Sequence, residues 1–214
     1  MSEGTPLGPG RIEPEDQARA DFYALLARLF SGPPDIELRR AIAGAVPLVP
    51  AESAAEGGAL AMELAAAWDA LRRASAIADD EALRDEFQTL FIGIGRTEVS
   101  PYASHYLGPR SGRALAEIRA ALACLGLVRR PTTSEFEDHI GIVFEAMRML
   151  VAGDAERPPA DIAEQRRFFE RYLMPWASDC CIAIEHSSVA KYWRHVAQFA
   201  RCFVGVETAA FAIG

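Results

Sequence analysis

The 214-residue sequence has few of the residues that build metal sites and disulfide frameworks. Its four cysteines, Cys124, Cys180, Cys181 and Cys202, form no CxxC spacing, and adjacent cysteines seldom pair because their side chains diverge. Its four histidines show neither an HExxH nor a paired ExxH spacing, so nothing indicates a zinc or di-iron site. We expect the cysteines to be reduced and mostly buried as small hydrophobic side chains.

Positive charge is also scarce, since 22 Lys and Arg residues stand against 30 Asp and Glu residues, a formal net charge of −8. This balance repels phosphate backbones and anionic lipid, and no local basic patch compensates for it, so we expect no nucleic-acid partner. Residues 1–16 lack the apolar run of a signal peptide. No uncharged apolar stretch approaches the roughly 18 residues of a spanning helix. These features predict a cytoplasmic protein without a membrane span.

Recognisable catalytic motifs are missing as well. The sequence contains no GxSxG elbow, and the glycines of residues 93–96 lack both the GK[ST] ending and the preceding strand of a phosphate loop. We interpret Gly93 and Gly95 as helix terminators. The sequence therefore gives no support for an enzyme and indicates no cofactor.

Helical patterning is what the sequence does contain. Half of its residues are hydrophobic and 24% are charged, close to the values for folded globular proteins. Strand-like alternation is nearly absent, and Phe22, Leu25, Leu26, Leu29 and Phe30 follow the i, i+3, i+4, i+7, i+8 spacing of a buried helical stripe. The pattern predicts an all-α bundle of roughly eight to ten helices.

The same periodicity predicts where these helices lie and how the chain divides. After the first helix we expect helices over 35–43, 51–76, 79–92 and 113–126, an irregular segment over 93–112, a helix from Ser134, another ended or kinked by Pro175, and a last one over 187–208. A seam is expected near residues 127–136. We therefore predict a flexible tail over 1–17, an N-terminal helical part over 18–130, and a hinge with a C-terminal part over 131–214, in one compact globule.

One segment that core packing does not explain is the irregular stretch over residues 93–108. If it is extended, Tyr102, Ser104 and Tyr106 lie on one side of it, behind Pro101, and their rings and hydroxyls are suited to binding a peptide. Alternatively, the loop folds back and its tyrosines fill gaps in the bundle. The residues alone leave both interpretations open.

A second such segment is Glu135-Phe136-Glu137-Asp138-His139. Thr132 and Ser134 each fit a capping box with the glutamate three residues later, so the glutamates are explained as helix caps. His139 is different because its spacing from Val143 and Leu150 places it on the apolar face of the predicted helix. It is either a hydrogen-bonded core residue or part of a binding site.

These segments, taken in order, resemble a known family. Phe87-Gln88-Thr89-Leu90-Phe91-Ile92-Gly93, the stretch SPYASHYL over 100–107 and the stretch EDHIG over 137–141 resemble motifs of the TorD/DmsD/NarJ family of redox-enzyme maturation chaperones. Residues 22–30 are similar to the opening helix of that family, and the resemblance extends over about residues 18–205. The chain departs from the family in lacking its frequent proline between the glutamate and the Asp-His pair.

The resemblance implies a cytoplasmic chaperone for a molybdenum-cofactor oxidoreductase. Such a chaperone binds the twin-arginine leader or the apoenzyme of its client until the cofactor is inserted. The family is all-helical with two parts joined by a hinge, and some members form domain-swapped dimers. The resemblance therefore leaves open whether this protein is a monomer or a homodimer. Carried over to this sequence, the client-binding residues are Tyr102, Ser104, Tyr106, Asp138 and His139. Phe87, Leu90 and Phe91 are candidates for apolar walls, although core packing explains them nearly as well.

A leader of this type has a cationic stretch followed by an apolar one. We expect Glu137 and Asp138 to pair with its arginines while the aromatic segment receives the apolar stretch. Two alternatives remain. One is a weak GTP-binding switch or hydrolase that uses the Gly93 to Arg96 turn, and the other is a helical adaptor or dimerisation module without leader specificity.

Overall fold

The computed structural model describes residues 12–49, 56–93, 97–108, 111–126, 136–155 and 157–213. These residues form ten α-helices and no β-strand, which confirms the all-α prediction. The helices are α1 (Pro14–Ser31), α2 (Ile36–Gly44), α3 (Glu56–Ile77), α4 (Asp80–Phe87), α5 (Ala103–Tyr106), α6 (Ser111–Cys124), α7 (Ile140–Ala152), α8 (Ile162–Phe168), α9 (Met174–His186) and α10 (Tyr192–Ile213). Short π-helical segments over Gln88–Ile92 and Phe169–Leu173 continue α4 and connect α8 to α9.

The core is organised around two helix packings, α1 along α7 and α10 against both α3 and α9. Of the predicted stripe of α1, Leu26, Leu29 and Phe30 are buried, while Phe22 and Leu25 are half-buried. The rings of Tyr23 and Phe30 contact Phe144 of α7 with centroids 6.1 and 5.8 Å apart. Burying one such side chain stabilises the fold by about 2 kcal/mol. The α1 and α7 pair therefore fixes the position of the N-terminus of α7.

One predicted helix stop is confirmed. The π-helical end of α4 stops at Gly93, which has a φ of 53° and donates its N–H to the carbonyl of Gln88 at 2.8 Å. Gly95 lies outside the described residues. Pro175 does not end the helix, because α8, the π-helical segment and α9 follow one another without a break, and it lies in the first turn of α9, where its missing N–H breaks no hydrogen bond of α9 itself.

Two predicted helix starts are wrong. Helix α7 begins at Ile140 rather than at Ser134, with His139 as its N-cap, while Thr132, Ser134 and Glu135 lie outside the described residues. The last helix runs over Tyr192–Ile213 rather than 187–208. Its start is set by Glu86 of α4, whose carboxylate accepts the backbone N–H groups of Lys191, Tyr192 and Trp193 at 2.8, 3.1 and 2.8 Å.

The predicted division of the chain stays a prediction. Most of the expected tail, residues 1–11, and most of the expected seam, residues 127–135, lie outside the described part of the chain. Helix α1 begins at Pro14, so the first helix takes in the last residues assigned to the tail. Within the predicted irregular segment over 93–112, residues 103–106 are helical and α6 has begun at Ser111.

Helix α10 is long and apolar enough to cross a bilayer when judged by length and composition alone. Half of its most apolar window is buried inside the protein, where Trp193, Phe199 and Phe203 contact other helices. A helix covered in this way by its neighbours is typical of a protein core.

Three of the four cysteines are buried, as predicted, and Cys124 is exposed. Burial raises the pKa of Cys180 to about 12 and raises the pKa of Cys181 well above its ordinary value. Since the thiolate is the reactive form, these two adjacent thiols are chemically protected in the native fold.

We expect Ellman's reagent at pH 8 to react rapidly with Cys124 alone and with the three buried thiols only after denaturation. Stopped-flow absorbance at native and denaturing urea concentrations measures both phases. The Cys124→Ser variant should lose the fast phase completely. A fast phase that persists in this variant would show that Cys180, Cys181 or Cys202 is accessible.

Candidate functional site

The two motif segments that the sequence singled out meet in the structure. Tyr102 and His139 form an isolated antiparallel β-bridge, and the N–H of Ala103 donates to the carbonyl of Asp138 at 3.0 Å. We call residues 101–104 and 138–141 the motif junction. It holds the loop before α5 against the turn before α7.

Asp138 stabilises this junction from its buried side. Its side chain is buried, with 1% of the residue exposed, and its Oδ2 accepts the backbone N–H of Ser104 at 3.0 Å. This carboxylate occupies the N-terminal end of α5, where backbone N–H groups lack helical partners. In this conformation Asp138 stabilises α5 and is closed to an incoming arginine.

His139 is also internal to the junction. It is buried at the N-cap of α7, and its Nδ1 accepts the N–H of Gly141 at 3.1 Å. Its ring lies edge-on to Tyr102 with centroids 5.2 Å apart. Of the two interpretations left open by the sequence, the structure supports the hydrogen-bonded core residue, and this role requires an unprotonated Nδ1.

Gly141 brings the junction against α1. A Cβ on this glycine would lie 2.7 Å from the Ser31 Oγ and 3.1 Å from the backbone carbonyl oxygen of Ala27. A 2.7 Å contact is closer than real Cβ atoms come to other atoms, and 3.1 Å is tighter than most, so the glycine permits the close contact between α7 and the C-terminal end of α1. The motif therefore includes a packing residue as well as capping residues.

Glu137 is engaged at the outer side of the junction. Its two carboxylate oxygens accept the Nε and Nη2 of Arg119 in α6, both at 3.0 Å, a bidentate pair. The hydrogen bond to Glu137, together with its negative charge, raises the pKa of Arg119. An arginine of a leader could bind the Glu137 carboxylate only by displacing Arg119.

The expected alternation of Tyr102, Ser104 and Tyr106 is wrong because residues 103–106 form a helical turn. Side chains two residues apart in a helix point about 200° away from each other, so the three do not line one side. The hydroxyl of Tyr106 donates to the Ser100 carbonyl at 2.9 Å, and its ring stacks on Trp176 with centroids 6.1 Å apart. Burial raises the pKa of Tyr106. Tyr106 therefore fills a gap in the bundle.

The three predicted apolar walls lie in the core. Phe87, Leu90 and Phe91 are 8%, 0% and 6% exposed. The rings of Phe87 and Phe91 lie 5.3 and 6.2 Å from Trp193 of α10. In this conformation they support α10 and offer no surface to a partner.

Phe136 is a further candidate residue that the sequence motifs did not indicate. It is 53% exposed, and its ring lies edge-on to Tyr102 with centroids 6.2 Å apart. We call Tyr102 and Phe136 the aromatic pair. A signal was present in the sequence, because an aromatic residue between two glutamates at the start of a predicted helix serves neither capping nor core packing.

The structure offers this site no evident metal ligands. Within the part of the chain that it describes, His, Cys, Asp and Glu side chains form no group of three or more that could hold a metal ion. Of the glycine turn considered for GTP, only Gly93 is described, and residues 94–96 lie outside the described ranges. What the junction does present is an aromatic surface on a hydrogen-bonded support.

Comparison with protein families gives a match to the model described as nitrate reductase delta subunit, over residues 58–182. The match covers more than half of the 214 residues and includes all three motif segments, while residues 22–30 lie outside it. No match was found among curated proteins. The chain therefore belongs to the nitrate reductase delta subunit family, the NarJ- and TorD-like family of redox-enzyme maturation chaperones.

Proposed function

We propose that this protein is a cytoplasmic chaperone that binds the precursor of one molybdenum-cofactor oxidoreductase, through its twin-arginine leader or its apoenzyme, until the cofactor is inserted. Membership of the family supports the maturation role and a nitrate reductase-type client. The observation that carries the proposal is the aromatic pair on the motif junction. It is an apolar surface at the place where the family's motif segments meet.

The junction gives the aromatic pair a fixed geometry. The β-bridge to His139 and the buried carboxylate of Asp138 hold the backbone on both sides of Tyr102. Exposed aromatic side chains on a rigid support are typical of interaction surfaces, because they bury a large area at little cost in conformational entropy. The aromatic pair is therefore suited to an apolar segment of an unfolded or partly folded client.

The two acidic residues of the motif, which the sequence predicted to pair with leader arginines, already have partners within the protein. Asp138 supports α5, and Glu137 is bound to Arg119. The Arg119 side chain is 56% exposed, but the Glu137 side chain is only 13% exposed and both of its oxygens accept Arg119, so a client arginine reaches this carboxylate only by displacing Arg119. We propose that both carboxylates support the junction and that the aromatic pair binds an apolar segment of the client.

The first test is affinity purification of the tagged protein from its own host under anaerobic growth, followed by mass spectrometry. We expect one molybdenum-oxidoreductase precursor with its leader intact. If candidate precursors are expressed and none is recovered, the proposal is wrong. A stable homodimer without such a client would favour the adaptor alternative, and submicromolar binding in a GTP titration would favour the nucleotide switch.

The second test is the Phe136→Ala variant. Truncating an exposed aromatic at an interface should weaken client binding about tenfold while leaving stability nearly unchanged, because Phe136 is 53% exposed. The amount of precursor that co-purifies, and the affinity for the purified precursor, measure this. Ile77→Ala, at a residue that is 87% exposed on α3, is the matched control and should leave binding unchanged. Equal losses in both variants would argue against the aromatic pair.

A further inference from the structure

A second surface of the protein combines an apolar floor with acidic side chains. Helices α1, α3 and α10 and the first residue of α8 enclose a cavity of about 450 Å³. Phe22, Leu64, Phe203 and Phe211 contribute to its floor, and Ile162, which is 57% exposed, lies at its rim. We call this cavity the α1–α10 groove.

The charge of the groove is negative. Glu15, Asp16 and Glu207 line it, against the single guanidinium of Arg19. Arg19 is already engaged, since it binds Asp16 at 2.7 Å and Glu207 at 2.8 Å and lies over the ring of Phe211 at 5.4 Å. Glu15 is exposed on the first turn of α1. The groove thus has an acidic margin beside an apolar floor.

This groove is distinct from the motif junction. The junction contacts α1 at Ala27 and Ser31, whereas the groove lies at Glu15 and Asp16. At a rise of about 1.5 Å per residue, Asp16 and Ala27 are about 16 Å apart along the helix. A ligand of the groove therefore need not touch the aromatic pair.

We infer that the α1–α10 groove is a docking site for a client segment in which cationic residues adjoin an apolar stretch. This inference rests on the proposed function and assigns the leader to the groove, while the aromatic pair binds another apolar segment of the precursor. Charge complementarity supports this assignment. Arginines gain charge-assisted hydrogen bonds from carboxylates such as Glu15, and the apolar stretch that follows buries itself on the aromatic floor. At the motif junction, Asp138 and Glu137 already have partners.

The experiment uses the full-length protein and a fluorescently labelled synthetic peptide with two adjacent arginines followed by a run of leucine and alanine. Fluorescence anisotropy at low salt gives the affinity. Glu15→Lys should weaken binding about tenfold, and the difference from the wild type should shrink as salt rises. Ile162→Ser should weaken binding at all salt concentrations, because it removes apolar contact area. Both residues are exposed, so neither variant should unfold the protein.

The matched control is Glu37→Lys, which makes the same change in net charge at an exposed acid on α2. It should leave peptide affinity close to that of the wild type. Equal weakening by Glu15→Lys and Glu37→Lys would show that net charge alone attracts the peptide and would overturn the groove assignment. A loss of peptide affinity in Phe136→Ala and not in Glu15→Lys would also overturn the groove assignment, because it would place the leader at the aromatic pair.

Two further outcomes separate the groove from the proposed function. If the precursor co-purifies with the wild type, and the labelled peptide binds the wild type, Glu15→Lys and Ile162→Ser with equal affinity, the chaperone role stands and the groove assignment is wrong. If light scattering shows a dimer that Ile162→Ser dissociates, the groove binds a second copy of the chain, which also overturns the assignment to a leader.

Discussion

Replacing Glu207 by alanine should lower the free energy of unfolding by about 3 kcal/mol. Glu207 is 2% exposed in α10, and its carboxylate accepts Arg19 Nε at 2.9 Å, Arg19 Nη2 at 2.8 Å and the Tyr23 hydroxyl at 2.8 Å. Its removal leaves a largely buried guanidinium with Asp16 as its remaining carboxylate. Breaking a buried ion pair typically costs about 3–5 kcal/mol. We expect a loss at the lower end of this range because the Arg19 side chain is 16% exposed.

Urea denaturation monitored by circular dichroism measures this loss. The control is Glu170→Ala, which removes an exposed i, i+4 pair with Arg166 and should change stability by less than about 0.5 kcal/mol. Combining Glu207→Met with Arg19→Met should recover part of the stability, because no unpaired charge stays buried. If Glu207→Ala costs no more than Glu170→Ala, the buried ion pair does not connect α1 to α10.

Replacing Gly141 by alanine should destabilise the protein by about 2 kcal/mol, a typical cost of overpacking a close helix contact. The new Cβ would lie 2.7 Å from the Ser31 Oγ and 3.1 Å from the Ala27 carbonyl oxygen, so the Ser31 side chain must rotate and α7 must shift slightly away from α1. That movement also disturbs the neighbouring hydrogen bond to His139 Nδ1. Client binding should therefore fall together with the urea midpoint.

Gly44→Ala in α2 is the matched control, because no atom lies within 4 Å of the added Cβ. It should be neutral or stabilising by up to about 1 kcal/mol, as alanine is the better helix former. Adding Ser31→Ala to Gly141→Ala removes the nearer clash and should restore part of the loss. Wild-type stability in the Gly141→Ala variant would show that the α1 and α7 contact adapts without cost.

Taken together, the contacts of the motif explain why its residues occur as a group. Asp138 caps α5, His139 caps α7 and Gly141 allows α7 to approach α1. These roles are structural. In our proposal, Phe136 and Tyr102 are the contacts with a client, and most of the other motif residues support them.

The sequence predicted the helical class and most helices because both follow from local spacing. The apolar spacing of α1 and the stop at Gly93 depend only on residues within a few positions of each other. The motif residues could also be found, since they were not explained by helix propensity or core packing. Their roles could not be predicted, because each role depends on a partner far away in the chain.

Three contacts illustrate what the sequence alone did not determine. The start of α10 is set by Glu86, which is 105 residues from Lys191, and the helical turn after Tyr102 is stabilised by Asp138, which is 34 residues from Ser104. Glu137, expected to cap a helix, binds Arg119 instead. Each of these carboxylates could satisfy local backbone groups equally well, so only the packing of the helices decides which donor it meets.

The sequence by itself therefore determined the fold class, the family motifs and the positions at which helices break. Helix periodicity and the chemistry of glycine and proline act over a few residues and are visible in any single chain. The tertiary structure alone decided which motif residues are buried supports, that Phe136 is exposed, and that acidic and apolar side chains of α1 and α10 enclose one groove. Exposure and charge environment arise when distant helices pack, and no local pattern encodes them.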